Sequence, residues 1–130
     1  MKTILKAQGL NKTYHLGSFP RTIKVRALND INLTIESDEP AIISLVGESG
    51  SGKTTLAKVI LRLVQPSSGA VTVAGHTVAG KGTRPSRTEF LRTVQPIFQN
   101  PFEAFSQYRT VDAYLLETAT RVARLHKDEA

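Results

Sequence analysis

The sequence predicts an α/β fold, in which a strand, a phosphate-binding loop and a helix follow a small antiparallel β subdomain. Three observations predict it. Residues 41–46 (AIISLV) form a nearly unbroken apolar run, of the length expected of a strand covered on both faces. Residues 47–54 then match G-x-x-x-x-G-K-[ST], and helical spacing follows, with Leu56, Val59, Ile60 and Leu63 on one face. Upstream, Ile31, Leu33 and Ile35 alternate with Asn32, Thr34 and Glu36, the pattern of a half-buried strand.

The residue types of the loop have chemical reasons. Gly47, Gly50 and Gly52 let the main chain come close to a ligand. Successive N–H groups can then line a concavity suited to anionic oxygens, and the following helix points its positive end at the same place. Lys53 adds a full charge for the β- and γ-phosphates of a nucleotide, and the Thr54 hydroxyl is suited to Mg²⁺. The competing view is a chance glycine-serine loop, which the flanking strand and helix disfavour.

At 130 residues, 40% of them hydrophobic and 22% charged, the chain is long enough for one modest domain of ordinary globular composition. Cysteine is absent, which excludes disulfides and thiolate metal sites. No apolar run approaches the roughly 20 residues that cross a bilayer, and the first residues lack the continuous apolar core of a secretory signal. A cytoplasmic location is expected by default. The net charge of +6 comes from 17 basic and 11 acidic residues, but these are scattered, without a polybasic run. A solvated surface plus one phosphate site is therefore expected, and no nucleic acid partner.

In chain order, residues 4–7 and 10–14 read as short strands around Gly9, and residues 22–28 alternate loosely before the clear strand at 31–35. After the central helix, residues 65–69 (QPSSG) are a break, and residues 71–74 a strand ended by Gly75. Residues 78–85 read as loop. Ser86 and Glu89 have the spacing of a capping box for a short helix. Residues 93–98 are expected to be a strand, with Pro96 confining it to an edge or a break. Residues 99–108 are irregular, and residues 110–125 form a helix with Leu115, Leu116, Ala119, Val122 and Ala123 on an apolar stripe.

Five segments together resemble the ATP-binding subunit of an ABC transporter, in the group serving oligopeptide, dipeptide and nickel importers: KTY at 12–14, VRALNDINLTI at 25–35, GESGSGKTTLAK from Gly47, PSSGAVTVAG from Pro66, and VQPIFQNPFEAF from Val94. They occur in the family's order and cover nearly the whole chain. The resemblance implies a partial P-loop NTPase core of RecA-like type behind the β subdomain, with residues 1–98 holding that subdomain and core. Residues 99–130 would hold the Q-loop and the start of a helical subdomain. It implies ATP and Mg²⁺ as cofactors, with Gly47, Glu48, Ser49, Gly50, Ser51, Gly52, Lys53, Thr54 and Thr55 around the phosphates. Tyr14 matches the aromatic residue that stacks on adenine; the alternative is a core tyrosine at a strand end, with Phe19 as substitute stacker. Gln99 matches the glutamine that reaches Mg²⁺ and the attacking water and reports nucleotide state to the membrane subunit. Lys53 and Gln99 are thus the expected catalytic residues, Thr54 and Gln99 the metal ligands. The implied partners are a transmembrane permease subunit and a second nucleotide-binding subunit, and the implied place is the inner face of the membrane.

The sequence also departs from that pattern. No apolar run ending in Asp-Glu is present, nor an LSGGQ-like signature, and His15, His76 and His126 do not fit the family's switch position. The reading is therefore of the front half of such a subunit, a truncated chain, retaining nucleotide binding with negligible turnover and prone to self-association. Two alternatives stay open: a binding-only nucleotide module, and another P-loop phosphotransferase whose lid would use Arg84, Arg87 or Arg92.

Overall fold

A computed structural model describes residues 1–18, 20–100, 105–106 and 108–123. The chain divides into two compact units, Met1–Arg84 and Pro85–Ala130.

The first unit is built on a four-stranded antiparallel sheet in the order β2-β1-β3-β4. The four strands are β1 (Thr3–Leu16), β2 (Ile23–Glu36), β3 (Ser68–Val73) and β4 (His76–Ala79). The expected antiparallel subdomain is present, but the pairs of short strands are each one long strand. Where a break was expected at Gly9, β1 instead carries a bulge, with a register shift between Ala7 and Leu10 and Gly9 at φ 55°. The extra residue changes the alternation phase, so Leu5, Ala7 and Leu10 are all buried although their spacing is two and then three. Main-chain groups displaced from the ladder find side chains instead: Gly9 N donates to Asn32 Oδ1 at 2.8 Å, and Asp30 N to Asn11 Oδ1 at 2.9 Å.

Helix α1 (Lys53–Ile60) packs against β2 and β4 and buries Leu56 and Val59. It is shorter than the spacing predicts: Leu63 lies beyond its end and is exposed. A turn at Ala74 and Gly75, both at positive φ, joins β3 to β4, as in two-residue hairpins. Part of the expected loop at 78–85 is in fact strand, since β4 buries Val78 and Ala79.

The apolar run at 41–46 departs most from expectation. It forms no strand and pairs with no neighbour among the described residues. Ile42 is 100% exposed and Val46 88% exposed. The physical reason is that a strand, unlike a helix, has no hydrogen bonds of its own. Apolar composition cannot make a buried strand without a sheet edge to receive it.

The second unit holds α2 (Arg87–Thr93) and α3 (Val111–Arg121). The capping box at α2 is as expected: Glu89 N donates to Ser86 Oγ at 3.2 Å, and Ser86 N to Glu89 Oε2 at 2.8 Å. The strand expected at 93–98 is absent, because Thr93 closes α2 and residues 94–98 have no regular structure, with Ile97 97% exposed. Helix α3 is shorter than the 110–125 expected, and Leu125 lies outside the described residues. Leu115 and Leu116 on its apolar stripe are exposed. Arg92 of α2 ties the end of α3 by donating from Nε to the Val122 carbonyl at 2.7 Å.

Candidate functional site

The loop from Gly47 to Gly52 is closed by one side chain. The Lys53 ammonium donates to the carbonyls of Gly47 at 2.7 Å and Glu48 at 2.6 Å, and to Ser51 Oγ at 3.3 Å. An ammonium has three protons, so the loop oxygens engage all of them. The loop is thereby curled around Lys53, with Ser51 N also turning back to Glu48 O at 3.3 Å.

Gly52 is the N-cap residue of α1, at φ 93°, and a Cβ there would lie 2.4 Å from the Ala27 carbonyl oxygen of β2. A side chain is excluded both by conformation and by space, so the start of α1 can be seated directly on the ribbon. Gly50, at φ 81°, has open space around it, and its requirement is conformational alone. No side chain caps α1 and its first turn carries no acid. The positive end of the helix is therefore left to an anion. Thr54 is exposed in that first turn, and Thr55 is half-buried. A hydroxyl there suits Mg²⁺, which commonly takes one or two protein oxygens and completes its shell with phosphate and water.

Tyr14 is half-buried on β1, opposite Val25 of β2. Val25 stands two residues along β2 from Ala27, the residue against which Gly52 is seated, so ring and loop share one end of the first unit. Lys12, to which the sequence assigned no role of its own, places its ammonium 5.0 Å from the Tyr14 ring centroid and donates to the Gln65 carbonyl at 2.8 Å. The spacing of two along a strand was the available signal. Phe19, the substitute stacker, lies outside the described residues. Gln99 belongs to the second unit and is exposed, without regular structure.

The second unit has its own polar cluster, which the sequence did not reveal. Arg109 stacks over the Tyr114 ring at 4.6 Å, and Phe105 meets the same ring edge-on at 5.1 Å. Glu117 pairs with both Arg109 and Arg121, each at 2.8 Å. The hydrogen bond from Arg109, then the charge of Arg121, holds the Glu117 carboxyl below its ordinary range. The same hydrogen bond raises Arg109 above its ordinary value.

A glycine-rich loop of the pattern G-x-x-x-x-G-K-[ST] opening a helix, beside an antiparallel subdomain that carries an aromatic residue, is the arrangement of a nucleotide-binding cassette. The ABC transporter family model matches residues 28–129, and the chain belongs to that family. Among its relatives, the Di/tripeptide transport ATP-binding protein DppF of Pseudomonas aeruginosa is 33% identical over 131 residues, covering 99% of this chain and 40% of that protein. The Nickel import ATP-binding protein NikE of Shigella boydii is 35% identical over 128 residues, covering 98% of this chain and 47% of that protein. The chain thus spans less than half the length of these relatives.

Among solved structures, a dimeric form of MJ0796, a bacterial ABC transporter cassette, aligns with 97% of the chain and 60% of its own at TM-score 0.55 and 21% identity, a likeness of fold alone. A post-hydrolysis dimer of the same cassette, bound to ADP and Pi, aligns with 68% of the chain and 34% of its own at TM-score 0.51 and 28% identity. Among the described residues, no helix is long and apolar enough to cross a membrane.

Proposed function

We propose that this chain is the nucleotide-binding part of the energy-coupling subunit of an ABC importer for a peptide-like or oligosaccharide solute, acting at the inner face of the membrane. The observation that carries the proposal is the uncapped, acid-free start of α1 behind the loop closed by Lys53. In this reading the main-chain amides of Gly47, Glu48, Ser49, Gly50, Ser51 and Gly52 surround the phosphates. Lys53 exchanges part of its loop contacts for β- and γ-phosphate oxygens. Thr54, with Thr55 beside it, would close the phosphate end and offer its hydroxyl to Mg²⁺, and Gln99 is the further metal ligand that the family resemblance implies. The metal supplies charge neutralisation between the phosphates. Tyr14 offers a flat ring to adenine, which grips a base with little selectivity. Gln99 orients the attacking water and couples to a permease subunit, and a second nucleotide-binding subunit completes the site.

The name of one relative, a di/tripeptide transport component, supports the peptide-like part of this range, while that of another, a nickel import component, lies outside it. For the 130 residues alone, binding without turnover is the expected behaviour, because phosphoryl transfer needs an acid to hold the metal and orient the water. No apolar run ending in Asp-Glu lies within them to supply it.

Titration with a fluorescent ATP analogue in the presence of Mg²⁺ tests the reading. Saturable binding is expected, with a loss of at least about tenfold on Lys53→Ala. Unchanged affinity in that variant would remove the loop from the site. Turnover at the rate of an intact transporter, abolished by Lys53→Ala, would refute binding without hydrolysis.

A further inference from the structure

We propose that the first unit carries a second oxyanion site, for a phosphoryl group or short polyphosphate, on the face of the β1–β2 ribbon opposite Tyr14. The inference is independent of the nucleotide reading. It starts from strand register. Thr13 pairs with Arg26 and His15 with Lys24, while Tyr14 pairs with Val25 between them. Successive residues of a strand point to opposite faces, so Thr13, His15, Lys24 and Arg26 share one face and Tyr14 points to the other. With Ser67, these four line a cleft of about 570 Å³.

The lining consists of donors. Thr13 N donates to Ser67 Oγ at 3.0 Å, which uses that oxygen as an acceptor and leaves its proton for a ligand. Arg26 Nη1 donates to Asn29 Oδ1 at 3.1 Å, which steadies the guanidinium while its other N–H groups stay available. Lys24 adds an ammonium and His15 an imidazole. Among the described residues, no carboxylate lines the cleft. Among the described residues, the ion pairs join Met1 to Asp38 and Arg109 and Arg121 to Glu117, and none involves a cation of the cleft. Lys12 on the opposite face shows the contrast, since its ammonium is already held by a carbonyl and a ring.

Lys24 and Arg26 stand two residues apart on one face of β2, with His15 directly across from Lys24, and the like charges of Lys24 and Arg26 repel. An anion bridging them removes that cost, and the more charge it brings the better it does so. A phosphoryl group offers up to two charges and three strong acceptor oxygens, and it matches the guanidinium fork.

The test uses the 130-residue chain carrying Lys53→Ala, so that the nucleotide loop is disabled. Inorganic tripolyphosphate is titrated by calorimetry, with the His15 ring resonances followed by NMR. The expected result is saturable one-to-one binding that moves the His15 signals and weakens at least tenfold in Lys24→Gln/Arg26→Gln. The double variant Lys58→Gln/Lys81→Gln, with the same change of net charge at exposed positions elsewhere, is expected to bind as before. Circular dichroism checks that both doubles keep the fold. A parallel arm uses phosphatidylcholine vesicles with and without phosphatidate. Binding only to phosphatidate vesicles, lost in the Lys24/Arg26 double, would support the site and assign its phosphoryl group to a lipid. Equal weakening in both doubles would reduce the binding to diffuse charge and overturn the proposal, as would silence from both probes.

Discussion

Gly50 and Gly52 stand two residues apart in one loop, yet the structure separates what each contributes. Both lie at positive φ, but only at Gly52 would a Cβ strike the Ala27 carbonyl. Gly50→Ala is expected to cost about 1 kcal/mol, the penalty of a left-handed alanine, and to leave β2 undisturbed. Gly52→Ala adds a clash with main chain, which cannot rotate away. It is expected to destabilise the first unit by about 1–3 kcal/mol and to weaken Mg-ATP binding as well. Urea unfolding of the two variants checks the difference, and equal losses would refute the assignment. At Tyr14, replacement by alanine removes the stacking ring. Stacking of a base on an aromatic side chain contributes about 1–3 kcal/mol, so Tyr14→Ala is expected to weaken ATP by roughly 5- to 150-fold and tripolyphosphate by much less. Parallel titrations of the two ligands check this.

At the scale of elements, helices and strands answer to different rules. Helix α2 is written locally, in Ser86 and Glu89 and the apolar Phe90 it buries. Ser86→Ala is expected to cost about 1 kcal/mol, measurable as lost helicity and a lower midpoint in urea. Helix α3 carries instead an exposed ion-pair cluster, in which the Glu117 carboxylate pairs with both Arg109 and Arg121. Its pKa is depressed in the folded state, so its contribution is present above the ordinary glutamate range and lost as pH falls through the lower folded value. Acid titration followed by NMR of the Tyr114 ring is therefore expected to show the Arg109 stack loosening below that range. Glu117→Gln should remove the transition. The bulge in β1 belongs to the same scale. It was not legible beforehand because a glycine at position 9 reads equally well as a strand end, and only the pairing with Asn32 and Asp30 on β2 decides between them.

For the whole molecule, the uncovered run at 41–46 is the governing feature. Apart from Ser44 its side chains are apolar, it bears no charge, and no described neighbour pairs with it. Surfaces of this kind drive association. The 130-residue chain is expected to show a mass that rises with concentration in light scattering, and Ile43→Lys/Leu45→Lys to shift it toward monomer. A sharp monomer at high concentration in the unaltered chain would count against this. The relatives extend well beyond the region they share with this chain, which spans 40% of one and 47% of another.

The sequence by itself determined the antiparallel character of the first 36 residues, the cap of α2 and membership of a family whose model matches residues 28–129. These rest on short-range spacing and residue type, which a linear text carries in full. Tertiary structure alone decided that residues 41–46 have no sheet partner among the described residues and that Gly52 abuts Ala27. It alone decided that His15, Lys24 and Arg26 share a face. Each of these depends on which segment lies beside which, and strand hydrogen bonds and cross-strand contacts join residues far apart in the chain.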